Sequence, residues 1–176
     1  MRTLLAILGA AVVALPVAAE DRVSLPQNYR TTLSEYLELD RTQNHDQFIR
    51  LYANPAAARG LDDSGQLPSG AVLVGEVYSV KKDDDGNVMT SSLGRRIADQ
   101  LVLIAVMEKR TGWQETSPSV IDVGDWDFGA FKPDGTNAAK ELDACRACHA
   151  PLNDTDFLFS SEHLSILDPS HNEGNE

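Results

Sequence analysis

Apolar residues along the chain fall in short runs separated by turn residues, a pattern that predicts strands joined by turns. The strongest run is Ala71 to Val80 (AVLVGEVYSV), where β-branched and aromatic residues cluster; the turn signal Asp85-Gly86 follows it, so it opens a hairpin. A second run of strand length spans Gln100 to Glu108 (QLVLIAVME), and Gly124 to Phe131 (GDWDFGAF) alternates Trp126 and Phe128 with Asp125 and Asp127. Both are predicted to be antiparallel strands. Phe48 to Tyr52 is a bulky run that stops at Asn54-Pro55, where Asn caps and Pro starts a short helix through Ala56 to Arg59. Leu33 to Leu39 has no clean period, so helix and strand both stay open there, with strand preferred. Glu20 to Gln27 reads as a polar lead-in.

After the turn at Pro133-Asp134-Gly135 the character changes. Ala138 to Leu142 are good helix formers that run straight into Cys-Arg-Ala-Cys-His, which places that motif at a helix end. A second short helix is predicted from Ser161 to Leu167, and the last residues are polar, giving a flexible tail over 169–176. The fold class that follows is α+β, a mainly antiparallel sheet with short helices, in one domain over 20–168. At the other end, Arg2, the apolar run Leu4 to Leu15 and the small residues Val17-Ala18-Ala19 form an export signal, cleaved after Ala19. Periplasmic export is therefore expected. The apolar run is well short of the ~20 residues that span a bilayer, so no membrane anchor is expected.

Charge narrows the partners. Lys and Arg number 15 against 27 Asp and Glu, a net charge of -12, and such a surface repels the phosphates of nucleic acid and anionic lipid. Its first use is solubility; attraction of a basic redox partner protein is the alternative.

The chain has two cysteines, Cys145 and Cys148, too close together to staple distant parts of the fold. Followed by His149, they have the spacing for attachment of haem c: two thiols add to the porphyrin vinyl groups and the adjacent imidazole reaches the iron. A zinc site needs a second ligand pair, which the scattered His45, His163 and His171 do not supply, and a thioredoxin-like dithiol needs a βαβ setting. The sixth iron position has only weak candidates. Met107 and Met89 read better as packing residues, and His45 and His163 as surface or capping residues, so an open iron position is preferred.

Asn28-Tyr29-Arg30, Ile49 to Ala56 (IRLYANPA), Pro68 to Val77 (PSGAVLVGEV), GDWDFGAF and the closing AAKELDACRACHAPLNDTDFLF together resemble the cytochrome P-460 family, the β-sheet c-haem group that includes cytochrome c′-beta. The resemblance implies a mainly antiparallel β fold, a homodimer, one five-coordinate haem with His149 as its proximal ligand, and reactions with hydroxylamine or nitric oxide. In the hydroxylamine-oxidising members a lysine in the matching strand bonds to the porphyrin edge; here that position is Gly75, which argues against oxidation. Glycine there either leaves room beside the haem or relieves packing. Lys81 and Lys82 lie about 20 Å further along at ~3.3 Å per residue, at the solvated hairpin end, and Glu76 points to the opposite face.

Asp127 occupies the slot of a distal-pocket residue in the family, so it is the candidate catalytic group, a proton acceptor beside the iron. Strand alternation gives a second reading, in which Asp127 faces water while Trp126 and Phe128 face the core. Phe128 and Phe131 either wall the distal pocket or pack the core, and Arg30, Arg95 and Arg96 are candidate partners for the haem propionates. Three functions follow in order of preference: a cytochrome that binds nitric oxide or a related nitrogen species, an oxidoreductase acting on hydroxylamine, and a simple electron carrier.

Overall fold

The computed structural model describes residues 22–167, so the export signal expected over 1–19 and the tail over 169–176 lie outside the described residues. Five strands form one antiparallel sheet in chain order: β1 (Ser34–Asp40), β2 (Gln47–Ala53), β3 (Val72–Val80), β4 (Ala98–Lys109) and β5 (Trp126–Phe131). Each apolar run read from the sequence is a strand, including the ambiguous one before Asp40. Asn54 closes β2 as anticipated: its side-chain oxygen accepts the Ala57 N–H at 2.9 Å and starts a 3-10 turn over Ala57–Arg59. Between β3 and β4 the chain makes two successive small turns, closed by the bridges Lys82↔Val88 and Thr90↔Arg96, with Asp85-Gly86 at the tip of the first.

Register sorts the side chains onto two faces. The line Leu51, Gly75, Ala105, Ala130 runs across four strands on one face, with Leu73, Met107 and Phe128 beside it. Tyr52, Val74, Val106 and Phe131 lie on the other. That second face is covered by the N-terminal segment, whose Val23 and Tyr29 are buried against it; Tyr29 opens the single helical turn α1 (Tyr29–Thr32). The lead-in read as polar thus contributes Val23 to the core, with Leu25 packed beside it.

A buried carboxylate helps tie this segment down. Glu76 is fully buried on the second face and accepts hydrogen bonds from Tyr29 at 2.5 Å, Arg30 at 2.5 Å, Tyr78 at 2.6 Å and Tyr52 at 3.3 Å. Burial pushes its carboxyl up, but the bonds from Tyr29, Tyr78 and Arg30 outweigh that and hold it below the usual carboxylate range. The same burial, together with the Glu76 charge, pushes Tyr78 up to about 12.

The helix predicted over 138–142 does not form. The Ala138 N–H bonds to the Ala130 carbonyl at 2.9 Å, Asn137 bridges Phe131, and Ala139 takes a left-handed φ of 48°. The turn after β5 folds the chain back along that edge strand, and backbone bonds to the sheet override a weak helix preference. Helix α2 begins only at Asp143 and ends at His149, so the motif makes up most of it. The helix predicted near the C-terminus is present as α3 (Ser161–Leu164) followed by a 3-10 turn over Ser165–Leu167. No helix among the described residues is long and apolar enough to cross a membrane.

Candidate haem site

Cys145 and Cys148 are one turn apart on α2, which sets both thiols on neighbouring positions of one helix face. Both are free, Cys145 half-buried and Cys148 exposed. Burial pushes the Cys145 thiol up against the opposing pull of Lys140 and Arg146, so it stays protonated at neutral pH.

His149 closes the helix, its ring held between Phe128, centroids 5.2 Å apart, and Phe159, which meets it edge-on at 5.0 Å. Its Nδ1 lies 2.7 Å from the carbonyl oxygen of Phe157. A carbonyl only accepts, so Nδ1 carries the proton and the Nε2 lone pair is left for a metal. Burial pushes the imidazole pKa down, the Phe157 carbonyl partly opposes this, and the Arg41 charge adds to the lowering. The ring is therefore neutral at pH 7, the form that ligates iron.

Around these groups the first sheet face is apolar. Leu37, Leu39, Ile49, Leu51, Ala105 and Met107 on it are only half-buried, and Met107 packs beside the buried cluster that includes Phe128. This donor set fits a haem: two thiols for carbon–sulfur bonds, one imidazole with a free Nε2, and an apolar bed for a flat macrocycle. Among the described residues no three His, Cys, Asp or Glu side chains are grouped as a bare metal ion requires.

Asp127 is neither in water nor on this face. It is 4% exposed and belongs to the opposite set from Phe128. Its Oδ1 accepts a hydrogen bond from Arg146 Nη2 at 2.5 Å, and Arg22 approaches Oδ2 at 3.5 Å. Arg146 is an inner residue of the cysteine motif, so the structure joins Asp127 to α2 through an ion pair whose side chains are 6% and 5% exposed. The outward-facing reading is corrected by that pairing. Nothing in the sequence signals it, because the partners come from different elements and neither position of the spacer is fixed by the motif.

Other candidates separate as follows. Phe128 flanks His149, whereas Phe131 is buried on the opposite face, so they share no wall. Gly75 is buried, and an added Cβ would meet the side-chain ends of Leu51 at 3.3 Å and Ile49 at 3.5 Å, so both would have to give slightly to admit one. Glu76 does point away from Gly75's face, and Lys82 pairs with Asp46 at 2.7 Å at the exposed hairpin end. The three arginines are engaged elsewhere: Arg30 with Glu76, Arg95 with the Glu38 carbonyl, and Arg96 with the carbonyls of Arg41, Asn44 and Gln47. Met89 and His45 are exposed, and His163 sits beside Glu162 on α3. The Phe157 carbonyl, which a sequence cannot single out because it is a backbone group, is the feature that sequence reasoning missed.

A thiol-paired helix with a metal-ready histidine, set against the apolar face of an antiparallel sheet, defines a haem-binding cytochrome of the β-sheet class. The family model for Cytochrome P460 matches residues 26–160, and the chain belongs to that family. A search of curated proteins finds no match.

Proposed function

We propose that this protein carries one haem c, joined to Cys145 and Cys148 by thioether bonds and ligated by His149 Nε2, and that it binds nitric oxide or a related nitrogen species at the opposite side of the iron. The observation that carries the reading is the His149 geometry: Nδ1 is committed to the Phe157 carbonyl at 2.7 Å, so a single nitrogen is presented to a metal. When bound, the haem supplies an iron centre with one exchangeable position. The chain's own residues do the rest. Phe128 and Phe159 fix the imidazole plane, α2 sets the thiols, and the half-buried leucines of the sheet face exclude water from the macrocycle's apolar surface.

Binding is favoured over hydroxylamine oxidation because Gly75 brings no amine to the apolar face and Asp127 is committed to Arg146 on the other. Periplasmic maturation after removal of the first 19 residues, a homodimer and a redox partner protein belong to the same reading. Its test is the protein matured with a c-type cytochrome assembly system. Intact mass should show one added haem, and a high-spin spectrum should shift with nitric oxide without turnover of hydroxylamine. A bare polypeptide mass, or a low-spin spectrum unresponsive to nitric oxide, refutes it.

A further inference from the structure

The Phe157 carbonyl that engages His149 sits on an unusual piece of backbone. Asp156 and Phe157 follow one another with φ of 53° and 63°, both left-handed and neither glycine. Left-handed backbone is unfavourable for a residue with a Cβ, and strain of this kind persists only where surrounding contacts over-determine it. The contacts are specific. The fully buried Asp156 carboxylate takes Lys109 Nζ on both oxygens, at 2.8 and 2.7 Å, and the Leu67 N–H at 2.8 Å. Lys109, from the end of β4, also donates to Gln66 at 2.7 Å and lies 5.7 Å from the centre of the Trp126 ring. The side chains of the pair are 8% and 1% exposed. Burying two charges is expensive and seldom stabilises a fold relative to apolar residues of the same volume, so bulk stability does not account for the pair.

We infer that Lys109 and Asp156 are positioning residues for the axial ligand: their ion pair locks the left-handed turn that holds the Phe157 carbonyl on His149 Nδ1. The inference rests on His149 being the iron ligand. An imidazole donating through Nδ1–H to a fixed carbonyl gains electron density at Nε2, which strengthens its bond to iron and favours the ferric state. Loosening the lock weakens that hydrogen bond and moves the ferric/ferrous balance toward ferrous. Outer-shell changes of this kind act on the order of tenfold or more. For a one-electron couple tenfold is ~59 mV.

The test uses the haem-loaded protein. In the wild type, the His149 Nδ1–H resonance should persist after transfer to D2O, because a locked carbonyl protects it. Asp156→Asn keeps a residue tolerant of left-handed backbone but discharges the pair, and the double variant Lys109→Met with Asp156→Asn leaves no unpaired buried charge. Both should show faster Nδ1–H exchange, a lower iron–histidine stretching frequency in the ferrous protein, and a reduction potential raised by roughly that tenfold shift. Tyr29→Phe, a control on the far sheet face, should lower stability and leave all three unchanged. Fast exchange in the wild type overturns the inference, as do variants whose exchange, stretch and potential match it. Should neither variant mature, wild-type exchange alone decides. A wild type with no covalent haem fails the proposed function instead, and its bare mass tells the two failures apart.

Discussion

Replacing Asp127 by alanine separates a structural carboxylate from a catalytic one. The substitution removes the acceptor of the 2.5 Å bond from Arg146 and leaves a guanidinium whose side chain is 6% exposed. Its remaining carboxylate partner, Asp143 at 2.9 Å, is 55% exposed and compensates little. Removing one partner of a buried pair costs about 3 to 5 kcal/mol. With a urea slope of roughly 2 kcal/mol/M, the unfolding midpoint should fall by about 2 M. Asp127→Leu combined with Arg146→Met leaves no uncompensated charge, so the double variant should recover most of that loss, with a coupling of at least ~2 kcal/mol in the cycle. Urea unfolding followed by far-UV circular dichroism on the haem-loaded protein reads all four corners. A single-variant midpoint within ~0.3 M of wild type, or singles that simply add, would refute the role assigned to the pair. An Asp127→Ala protein of normal stability that loses hydroxylamine turnover present in the wild type would restore Asp127 as a proton acceptor.

Acid should loosen the N-terminal segment. Because the folded-state carboxyl of Glu76 lies below its ordinary value of 4.5, its stabilisation is complete above that value and lost as pH falls through it toward the lower one. Urea midpoints measured from pH 7 to pH 3 should show this slope, and Glu76→Gln should flatten it while lowering the midpoint at pH 7. Cys148→Ala should keep a haem through Cys145 alone, seen as haem that remains with the polypeptide on a denaturing gel, whereas loss of both cysteines should release it. Gly124→Ala should lower the melting temperature, at a cost of about 1 to 2 kcal/mol for the strained backbone alone: its φ is +59° and the new Cβ would lie 3.0 Å from Phe157 Cε2.

The sheet was legible because its signal is local: Ala71 to Val80 and Gln100 to Glu108 are apolar over the length of a strand, and chain-order pairing needs only turns. The helix expected over 138–142 failed where a tertiary bond, Ala138 to Ala130, competed with propensity. The closeness of the two cysteines and His149 was legible because they are contiguous and one helix carries all three. Asp127 was singled out for its position, yet its partner Arg146 came from a distant element, and alternation along β5 says only which face a residue takes, not what waits there. Lys109 and Asp156 were invisible for the same reason, being 47 positions apart in sequence.

A sheet whose spatial order repeats its chain order assembles by successive adjacent hairpins, with small loop-closure losses at each step. The cysteine helix comes after the last strand, so in chain order the apolar bed is complete before the two thiols appear. Amide protection should accordingly be highest in β3 and persist there when haem is withheld, while α2 alone loses it.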